Sequence, residues 1–520
     1  MLVKRSIGVA IVLFWCLMNF LLLKRQWWTA PAPINLRGVE SITEVSEEWW
    51  SIHYRGEKIG YASQTIEPKW SPTGKPVAPS STPTGRNPER QPPARAGARV
   101  EGTPGYRLKD ESLLRLNLLG TSQTAATRLN MEVDKEWVLE NFDFDLRSNE
   151  LRFHASGRVA PGKLMLEVNS AGNSTRHELP LTQPPYLSAA LKPLVATQQL
   201  EPGKEHFFSI FDPATLSQQV TSVVIEGREQ IRLGDRVEPA MRIRQRFKGL
   251  SVVSWIDGQG RTLKEESPGG FSIIRASRQE AKSLDGSRSV PLDLISQTAV
   301  RPNAPIADSA TKETLLLKLS GFDLANFGLH GGRQRLDGDR LEIRREILDP
   351  RKSFRIPSQD QRWKSFLQPT VFLQSDHPDI RSLAGKIIVG EGDARKAAVR
   401  IKDWVYREIA KVPTVSVPNA LDVLKSRRGD CNEHTVLFNA LARAAGIPAR
   451  TVVGVVYLRD AFYYHAWSEV WLGEWISLDS VLDQFPADVT HIKFLEGDID
   501  RQIDILQLIG NLKIEVLGES

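Results

Sequence analysis

Hydrophobic and polar residues alternate with a period of two over long stretches of the first two thirds of the chain, as is typical of half-buried β-strands. Residues 49–63 read WWSIHYRGEKIGYAS, which predicts two short strands joined by a turn at residues 55–58. The alternation returns in residues 130–178, and further strand-like stretches cover residues 220–225, 240–247, 250–255 and 340–347. The pattern predicts a large antiparallel β region, curved or sandwich-like, over roughly residues 41–365.

The alternation is interrupted at residues 67–105, where nine prolines stand among Ser, Thr, Gly and Arg and large aliphatic residues are nearly absent. Such a segment buries too little apolar surface to offset the entropy that it would lose on ordering, so we expect it to be disordered. This insertion divides the β region in two. Residues 24–66 form a linker and the first strands, and residues 106–365 form the main part.

After about residue 379 the hydrophobic pattern changes to a helical period. Residues 393–409 place apolar side chains at helical spacing, and further helices are predicted at residues 419–425 and 431–445. The sequence Gly-Ile-Pro that follows is a stop signal for the last of these helices. Strands are then predicted at residues 450–458, 465–472 and 475–478. Helices followed by antiparallel strands describe an α+β domain, which we place at residues 379–520.

The N-terminus carries an apolar run of 18 residues at positions 6–23, between two basic residues before it and two after it. This length is near the lower limit for a membrane-spanning helix, and Trp27 and Trp28 suit an interfacial aromatic belt. A cleavage site after Ala32 would be followed by Pro33, which is a poor fit. We therefore expect an uncleaved signal anchor, with residues 1–5 cytoplasmic and the bulk of the chain extracytoplasmic (periplasmic in a Gram-negative cell). A removed signal peptide would give the same compartment without the anchor.

Composition limits the chemistry further. The 520 residues are too many for one core and predict two to four domains, and a net charge of +6 gives no reason to expect a nucleic-acid partner. The cysteines are Cys16, inside the apolar run, and Cys431, so the rest of the chain can form neither an internal disulfide nor a Cys-rich zinc site. Asp498, Asp500 and Asp504 lack the spacing of a calcium loop, and we expect no metal or cofactor.

Candidate chemistry is concentrated in residues 429–450, GDCNEHTVLFNALARAAGIPAR. Asp430 is a good N-cap, which places Cys431 in the first turn of a helix. The positive end of the helix dipole and the unpaired N–H groups there favour a thiolate, the state that a nucleophile needs. The same N–H groups could stabilise an oxyanion, and Gly429 would let a substrate approach the sulfur.

A thiolate also needs a proton partner. His465 lies 34 residues after Cys431 in YYHAWSEVWL, and strand alternation puts it on one face with Trp467 and Glu469. Asp479 follows 14 residues later, just past the end of a predicted strand. Adjacent antiparallel strands can bring this carboxylate beside the imidazole and fix its tautomer. The pattern predicts a catalytic triad of Cys431, His465 and Asp479.

The segment from about residue 380 to 485 resembles the transglutaminase-like superfamily, which has a papain-like cysteine fold. The matching motifs are G-D-C at the start of a helix, L-A-R-A-A-G-I-P-A-R, H-A-W and W-I-S-L-D, in this order. The resemblance implies that Cys431 is the nucleophile, His465 the general base and acid, and Asp479 the orienting carboxylate. It also implies a bacterial member with an N-terminal extension and a membrane anchor. The expected fold is thus α+β, with this domain behind the β region and one transmembrane helix.

Several functions fit this constellation. Cys431 alone could be an inert buried thiol, but together with His465 and Asp479 it favours an acyl-enzyme mechanism on a protein or peptide substrate. Water as acceptor would make the protein a peptidase or amidase, which we favour because no second acceptor site is visible. An amine acceptor would make it a crosslinking transglutaminase, and loss of catalysis would leave a binding or scaffold module.

His434 forms a C-x-x-H pair with Cys431, for which local packing is a better interpretation than a metal site. The oligomeric state stays open.

Overall fold

The computed structural model describes residues 44–69, 104–149, 151–170, 172–188, 191–192, 200–247, 250–258, 260–283, 293–497 and 499–520. The predicted anchor at residues 6–23 lies outside these ranges, as does most of the predicted insertion at residues 67–105. Strand β2 (Glu57–Pro68) and strand β3 (Gly105–Leu118) flank that insertion. Within the ranges described, no helix has the length and apolar character needed to cross a membrane.

The described chain is mostly β, and its first part forms one antiparallel sheet of fourteen strands in the order β8-β7-β6-β5-β4-β3-β2-β1-β14-β13-β12-β11-β10-β9. Besides β2 and β3, these strands are β1 (Ser46–Tyr54), β4 (Thr121–Asp134), β5 (Leu139–Ser148), β6 (Leu151–Ala160), β7 (Lys163–Ser170), β8 (Asn173–Pro180), β9 (Glu205–Asp212), β10 (Ser217–Leu233), β11 (Arg236–Phe247), β12 (Leu250–Ile256), β13 (Thr262–Ser267) and β14 (Phe271–Arg275).

The large sheet is strongly curved. The rings of Phe142 on β5 and Phe211 on β9 lie 5.2 Å apart, although nine strands lie between β5 and β9 in the sheet order. Phe153, Leu164 and Ile243 belong to the same buried core. Because residues of alternate strand positions from both halves fill one interior, the sheet curls around its own hydrophobic face. A large antiparallel sheet is confirmed, as one continuous curved sheet, but it ends at β14 and does not extend to residue 365 as predicted.

The remaining strands form two four-stranded sheets, β16-β17-β15-β24 and β22-β21-β20-β23, and a short pair β18-β19. They are β15 (Thr314–Ser320), β16 (Gln334–Asp337), β17 (Arg340–Arg344), β18 (Ala410–Lys411), β19 (Arg428–Gly429), β20 (Ala449–Leu458), β21 (Ala461–Trp471), β22 (Trp475–Leu478), β23 (Ile492–Glu496) and β24 (Lys513–Glu519). The α-helices are α1 (Arg278–Lys282), α2 (Leu294–Thr298), α3 (Pro378–Ile387), α4 (Ala394–Glu408), α5 (Ala420–Ser426), α6 (Cys431–Ala444) and α7 (Ile499–Gln502).

Helix α6 is the central element of the C-terminal half. Residues from Glu433 to Arg443 are all buried, because α6 is enclosed by α3, α4 and α5 and by strands β20 and β21. Its apolar side chains, such as Leu437 and Leu441, share a core with Ile401 of α4. The other face of the β20–β23 sheet packs on strands β15 and β17, where Val455 and Leu317 share a second core. The helix start is thereby held in a fixed position against strand β21.

Secondary structure in this half follows the sequence closely. The helices predicted at residues 393–409, 419–425 and 431–445 are α4, α5 and α6, each shorter by one or two residues, or shifted by one, at its ends. Asp393, Asn419 and Asp430 cap them through their side chains. The strand predicted at residues 475–478 is β22, and β21 begins four residues before its predicted start.

Candidate active site

The start of helix α6 is fixed by a capping box. The Asp430 side chain accepts from the Asn432 backbone N–H at 3.0 Å and from the N–H of Glu433. In return, the Glu433 carboxylate accepts from the Asp430 N–H at 2.9 Å. Ser416 donates to the same carboxylate from the neighbouring loop. These bonds place Cys431 at the first helical position, as the sequence predicts.

Gly429 has a different purpose from the expected one of opening access to the sulfur. A Cβ atom at this position would lie 2.2 Å from Cβ of Glu433 and 2.4 Å from its Cγ. The missing side chain therefore makes room for the Glu433 side chain to fold back onto the Asp430 N–H. Gly429 belongs to the support of the helix start.

The Cys431 sulfur lies against strand β21. It accepts a hydrogen bond from the backbone N–H of Ala466, and Thr435, one turn further along α6, donates to the carbonyl oxygen of Ala466 at 3.2 Å. Ala466 directly follows His465. These two contacts on one residue bring the start of α6 to the strand that carries the predicted base.

The electrostatic environment of the thiol differs from the expectation that the helix start favours a thiolate. Burial raises the pKa of Cys431 well above its ordinary value, and the charge of Asp430 raises it further. The hydrogen bond from Ala466 acts in the opposite direction but does not offset them. Because carboxylates surround the sulfur, the helix start alone cannot produce the thiolate, and a thiolate here needs an imidazole to take its proton.

His465 and Asp479 form a buried pair. His465 donates from Nε2 to Oδ2 of Asp479 at 2.6 Å, which leaves Nδ1 as the nitrogen free to exchange a proton with a thiol. Oδ1 of Asp479 accepts from the N–H groups of Val481 at 2.6 Å and Leu482 at 3.0 Å. Asp479 is fully buried, and β22 ends one residue before it, so the carboxylate projects past the strand end towards His465.

Two further residues of this network, His491 and Asp488, are not indicated by the sequence pattern. His491 is fully buried and lies 3.1 Å, through Nε2, from the same Oδ2 of Asp479. Its Nδ1 lies 3.1 Å from Oδ1 of Asp488. Burial alone would raise the pKa of Asp479, but its contacts with His465 and His491 outweigh burial and hold that pKa well below its usual range. A lone histidine before a strand, in VTHIKF, gives no sequence signal of this role.

Residues from a distant part of the chain support the turn after Asp479. Arg333 donates to the carbonyl oxygens of Ala487 at 2.5 Å and of His491 at 2.8 Å. Its guanidinium group lies 3.5 Å from Glu346, and that buried carboxylate accepts from the Ser477 N–H at 3.1 Å. Arg333 and Glu346 thus hold both sides of the segment that carries Asp479 and His491.

Other residues that the sequence singled out have structural contacts. His434 is buried and donates from Nδ1 to the carbonyl oxygen of Asp430 at 2.7 Å, in agreement with local packing. Glu469 is paired with Arg450 at 2.5 Å and with Lys493 at 2.9 Å, so its contacts explain it without a substrate. The ring of Trp467 lies 6.1 Å from that of His465, almost parallel to it, and limits the movement of the imidazole.

Two clusters within the described residues have ligand atoms close enough to hold a metal ion: His465, Asp479 and His491, and, on the large sheet, Asp143, Asp145 and His154. The first cluster is buried, but its atoms already contact one another at hydrogen-bond distance. We therefore interpret it as a proton network.

Comparison with known proteins identifies the domain. Residues 381–480 match the transglutaminase-like superfamily, a span that contains Cys431, His465 and Asp479 and ends before His491. These residues form a transglutaminase-like domain, as the sequence predicted. An uncharacterized protein of Mycobacterium leprae (strain TN) is 31% identical over 132 residues, which cover 24% of this chain and 47% of that protein. The chain thus spans about half the length of this relative.

Two solved structures are also similar. A candidate cysteine protease from Cytophaga hutchinsonii is 18% identical with a TM-score of 0.27, over 40% of this chain and 86% of that one. The periplasmic domain of TgpA from Pseudomonas aeruginosa, bound to ethylmercury, is 19% identical with a TM-score of 0.23, over 36% of this chain and 89% of that one.

Proposed function

From its transglutaminase-like domain, we propose that this protein is a cysteine hydrolase that cleaves amide bonds of proteins or peptides through a thioester. Cys431 is the nucleophile, His465 the general base and acid, and Asp479 the residue that orients the imidazole. The observation that carries the proposal is the juxtaposition of a thiol at a helix start with the strand that bears a carboxylate-bound histidine.

The first half of the reaction uses the two nitrogens of His465 differently. Nε2 stays bonded to Asp479, while Nδ1 takes the proton of Cys431 as its sulfur attacks the carbonyl carbon. Because burial raises the pKa of the thiol, the proton transfer and the carboxylate that stabilises the resulting imidazolium are both required. The C–N bond then breaks, and the leaving amine takes its proton from Nδ1.

The helix start supplies the electrostatic part. In the capping box, the N–H groups of Asn432 and Glu433 are bonded to Asp430. The first-turn group left to face the developing oxyanion is therefore the N–H of Cys431 itself, at the positive end of the α6 dipole. Water then attacks the thioester, with His465 as its base, and restores the thiol.

Water is the acceptor that we favour over an amine. Hydrolysis needs no second substrate, and the sequence offers no dedicated amine site. Crosslinking by a lysine would use the same thioester and the same three residues. The choice between them therefore depends on the products that form when an amine competes with water.

We also propose that residues 6–23 anchor the protein and keep the domain outside the cytoplasm. The support is the apolar run in the sequence and its flanking charges and tryptophans. In intact spheroplasts, external protease should digest the chain while a cytoplasmic marker survives. Protection of the chain until the cells are lysed would contradict the proposed orientation.

Alkylation of Cys431 tests the catalytic proposal without a known substrate. In a Cys16→Ser background, iodoacetamide near neutral pH should label Cys431 about tenfold or more faster than a free thiol. His465→Ala and Asp479→Asn should abolish that advantage, whereas His154→Ala on the large sheet should not change the rate. Labelling no faster than a free thiol, and unaffected by His465→Ala, would exclude this nucleophile.

A peptide mixture then identifies the reaction. The wild-type chain should release peptide fragments, Cys431→Ala should release none, and Asp479→Asn should lower kcat by roughly 10³ to 10⁴. The same incubation with an added primary amine distinguishes the acceptors. Products that carry the amine at the expense of cleavage would show a transferase instead of a hydrolase.

A further inference from the structure

The carboxylate of Asp479 serves two imidazoles at one oxygen atom. Oδ2 lies 2.6 Å from Nε2 of His465 and 3.1 Å from Nε2 of His491. The two rings are 5.9 Å apart between centroids. The proposed mechanism requires Asp479 to bind the ring of His465 only. It does not use the second ring, that of His491.

His491 lies between two carboxylates. Its Nε2 faces Asp479, and its Nδ1 lies 3.1 Å from Oδ1 of Asp488. That oxygen also accepts from the N–H of Thr490 at 2.9 Å and from its hydroxyl at 2.6 Å. A neutral imidazole can donate from one nitrogen only, and the lone pair of the other would then face a carboxylate oxygen. Both contacts are satisfied only when both nitrogens carry protons.

The other groups around His491 leave it as the cation of this cluster. Arg333, which donates to the carbonyl oxygen of His491, is paired with Glu346 on its other side. The Trp467 ring lies 5.2 Å away and is uncharged. Within the described part of the chain, His465 is the remaining titratable group in contact with this ring. Burial lowers the pKa of His491, but hydrogen bonds to Asp479 and Asp488 outweigh burial and raise that pKa above its ordinary value. Lys493, on strand β23 that begins directly after His491, is paired with Glu469 and Glu496.

We propose that His491 is a positioning residue of the active site, kept as a buried imidazolium that shares Asp479 with His465. This proposal rests on the proposed function of Cys431, His465 and Asp479. The shared oxygen fixes the carboxylate in its orientation towards His465. The positive charge also prevents Asp479 from stabilising a second proton on His465 too strongly, so the imidazole can release it to the leaving amine.

The charge has a measurable consequence with a defined sign. A cation on the His491 ring, whose centroid lies 5.9 Å from that of His465, makes each proton of the Cys431–His465 pair easier to lose. Replacing His491 with Gln removes the cation and leaves Asp488 ionised. Both protons are then held more tightly, so the pH dependence of Cys431 alkylation should move upwards by roughly 1 to 2 pH units. The kcat for a peptide should fall on the order of tenfold to a hundredfold, with a smaller change in KM.

A second variant separates charge from packing. In His491→Gln/Asp488→Asn the cation and its partner carboxylate are removed together, so the net charge of the cluster returns to the wild-type value. The pH dependence of alkylation should then return most of the way to that of the wild type. A purely structural His491 would give a double variant at least as impaired as the single one, with no return of the pH dependence.

Nuclear magnetic resonance tests the protonation state without any activity. In the full-length chain labelled with ¹⁵N-histidine, the signals lost in His491→Gln identify its ring. Both nitrogens should be protonated at pH 7 to 8. A singly protonated ring, nitrogens bound to a metal that a chelator removes, or an unchanged alkylation profile in His491→Gln would each overturn the proposal.

These measurements also separate the two proposals. If Cys431 reacts like a free thiol and the chain cleaves no peptide, the proposed function is wrong. The protonation state of His491 is still decided separately by its ring signals. If the His491→Gln variant does not fold, the variant Asp488→Asn can be used instead to identify the ring signals of His491. Its loss of one acceptor should convert His491 to the neutral ring, and a ring that stays doubly protonated would overturn the role of the two carboxylates.

Discussion

At the scale of single residues, the thiol of Cys431 lies in an electrostatic environment that disfavours its ionised form. Burial and the Asp430 charge raise the pKa of Cys431, so the isolated side chain would be an inert thiol at neutral pH. In the proposed mechanism this is changed by His465, whose Nε2 is bound by Asp479. A thiol that ionises only by passing its proton to a fixed imidazole is inactive until the geometry of the pair is complete.

The carboxylates of this network should make the domain sensitive to acid. The pKa of Asp488 is lowered because its contacts with His491 outweigh burial, so its contribution to stability is present above the unfolded pKa of about 3.9 and is lost as the pH falls below that value. We expect Asp488→Asn to lower the free energy of unfolding by about 1–3 kcal/mol at pH 7.

The difference in the free energy of unfolding between Asp488→Asn and the wild type should shrink below about pH 4, because the wild-type carboxylate is then increasingly protonated in the unfolded state. Urea titrations followed by labelling of Cys431 in a Cys16→Ser background, at pH 7, 5 and 3, would measure it. Asp337→Asn, at an exposed strand end, is the control and should be neutral throughout. A difference that grows towards low pH would contradict the assignment.

At the scale of elements, the helix start and the turn after β22 are each held by parts remote in sequence. The capping box belongs to α6 itself, but Ser416 contributes to it from the preceding loop. The turn after β22 depends on Arg333 and Glu346, more than 130 residues earlier. The site is therefore assembled from local signals and from tertiary contacts, and these can be tested separately.

A side chain at Gly429 should displace the capping box. In Gly429→Ala the new Cβ would overlap the Glu433 side chain near its base, where it cannot rotate away, so the helix start must shift. We expect a loss of about 1–3 kcal/mol in the free energy of unfolding and a slower alkylation of Cys431. Gly390→Ala is a control in a turn whose Cβ position is open, although its φ of +71° adds strain of its own. Wild-type alkylation in Gly429→Ala would show that the box is dispensable.

Loss of Arg333 should loosen the segment that carries Asp479 and His491. Arg333→Met leaves the buried Glu346 without its cation and frees the carbonyl oxygens of Ala487 and His491. We expect a loss of about 3–5 kcal/mol and faster amide hydrogen exchange over residues 479–491. Arg335→Met, two residues further along the chain, in β16 and exposed, is the matched control and should change neither. Equal exchange in both variants would exclude the supporting role of Arg333.

Sequence patterns were sufficient for elements whose signals are local. The helical spacing and the cap residues Asp393, Asn419 and Asp430 predict the helices. Motif order predicts the candidate triad, of which the fold pairs His465 with Asp479. His491 could not be predicted, because its role arises from two carboxylates that approach it only in the folded chain. Whether the pKa of the Cys431 thiol is raised or lowered also depends on burial, which a helix position alone does not reveal.

At the scale of the whole molecule, the large sheet is joined to the start of α6. Phe372 and Val417, from the C-terminal half, are buried in the core of the large sheet. Gln123 of β4 donates to the carbonyl oxygen of Pro413 at 3.1 Å. Ser416, beside Val417, donates to the carboxylate of the capping box. A cleft of about 550 Å³ is lined by β4 and β6 residues on one side and by residues 412–428 on the other.

Sequence alone could not reveal this connection, because alternation predicts strands without saying which core their faces fill. Strands β15 to β17 illustrate this. Their alternating pattern continues that of the large sheet, yet β15 pairs with the C-terminal strand β24, and their apolar face packs on the β20–β23 sheet. The large sheet is thus in contact with the C-terminal half through a few buried side chains, and those side chains should transmit its influence to Cys431.

Phe372→Ala is the test of that influence. Phe372 is 7% exposed within the core of the large sheet, and its carbonyl oxygen accepts from the N–H of Ala420 at the start of α5. Truncation should cost about 3–5 kcal/mol, because it removes a buried ring from a core formed by both halves. The loop of residues 412–418 should then be cut faster by protease, and Cys431 should be alkylated more slowly as its capping box loses the support of Ser416.

Val389→Ala is the control, at a side chain that is 74% exposed, and its free energy of unfolding should stay within about 0.5 kcal/mol of the wild type. If Phe372→Ala lowers stability while loop cleavage and alkylation keep wild-type rates, the sheet stabilises the molecule without acting on the site.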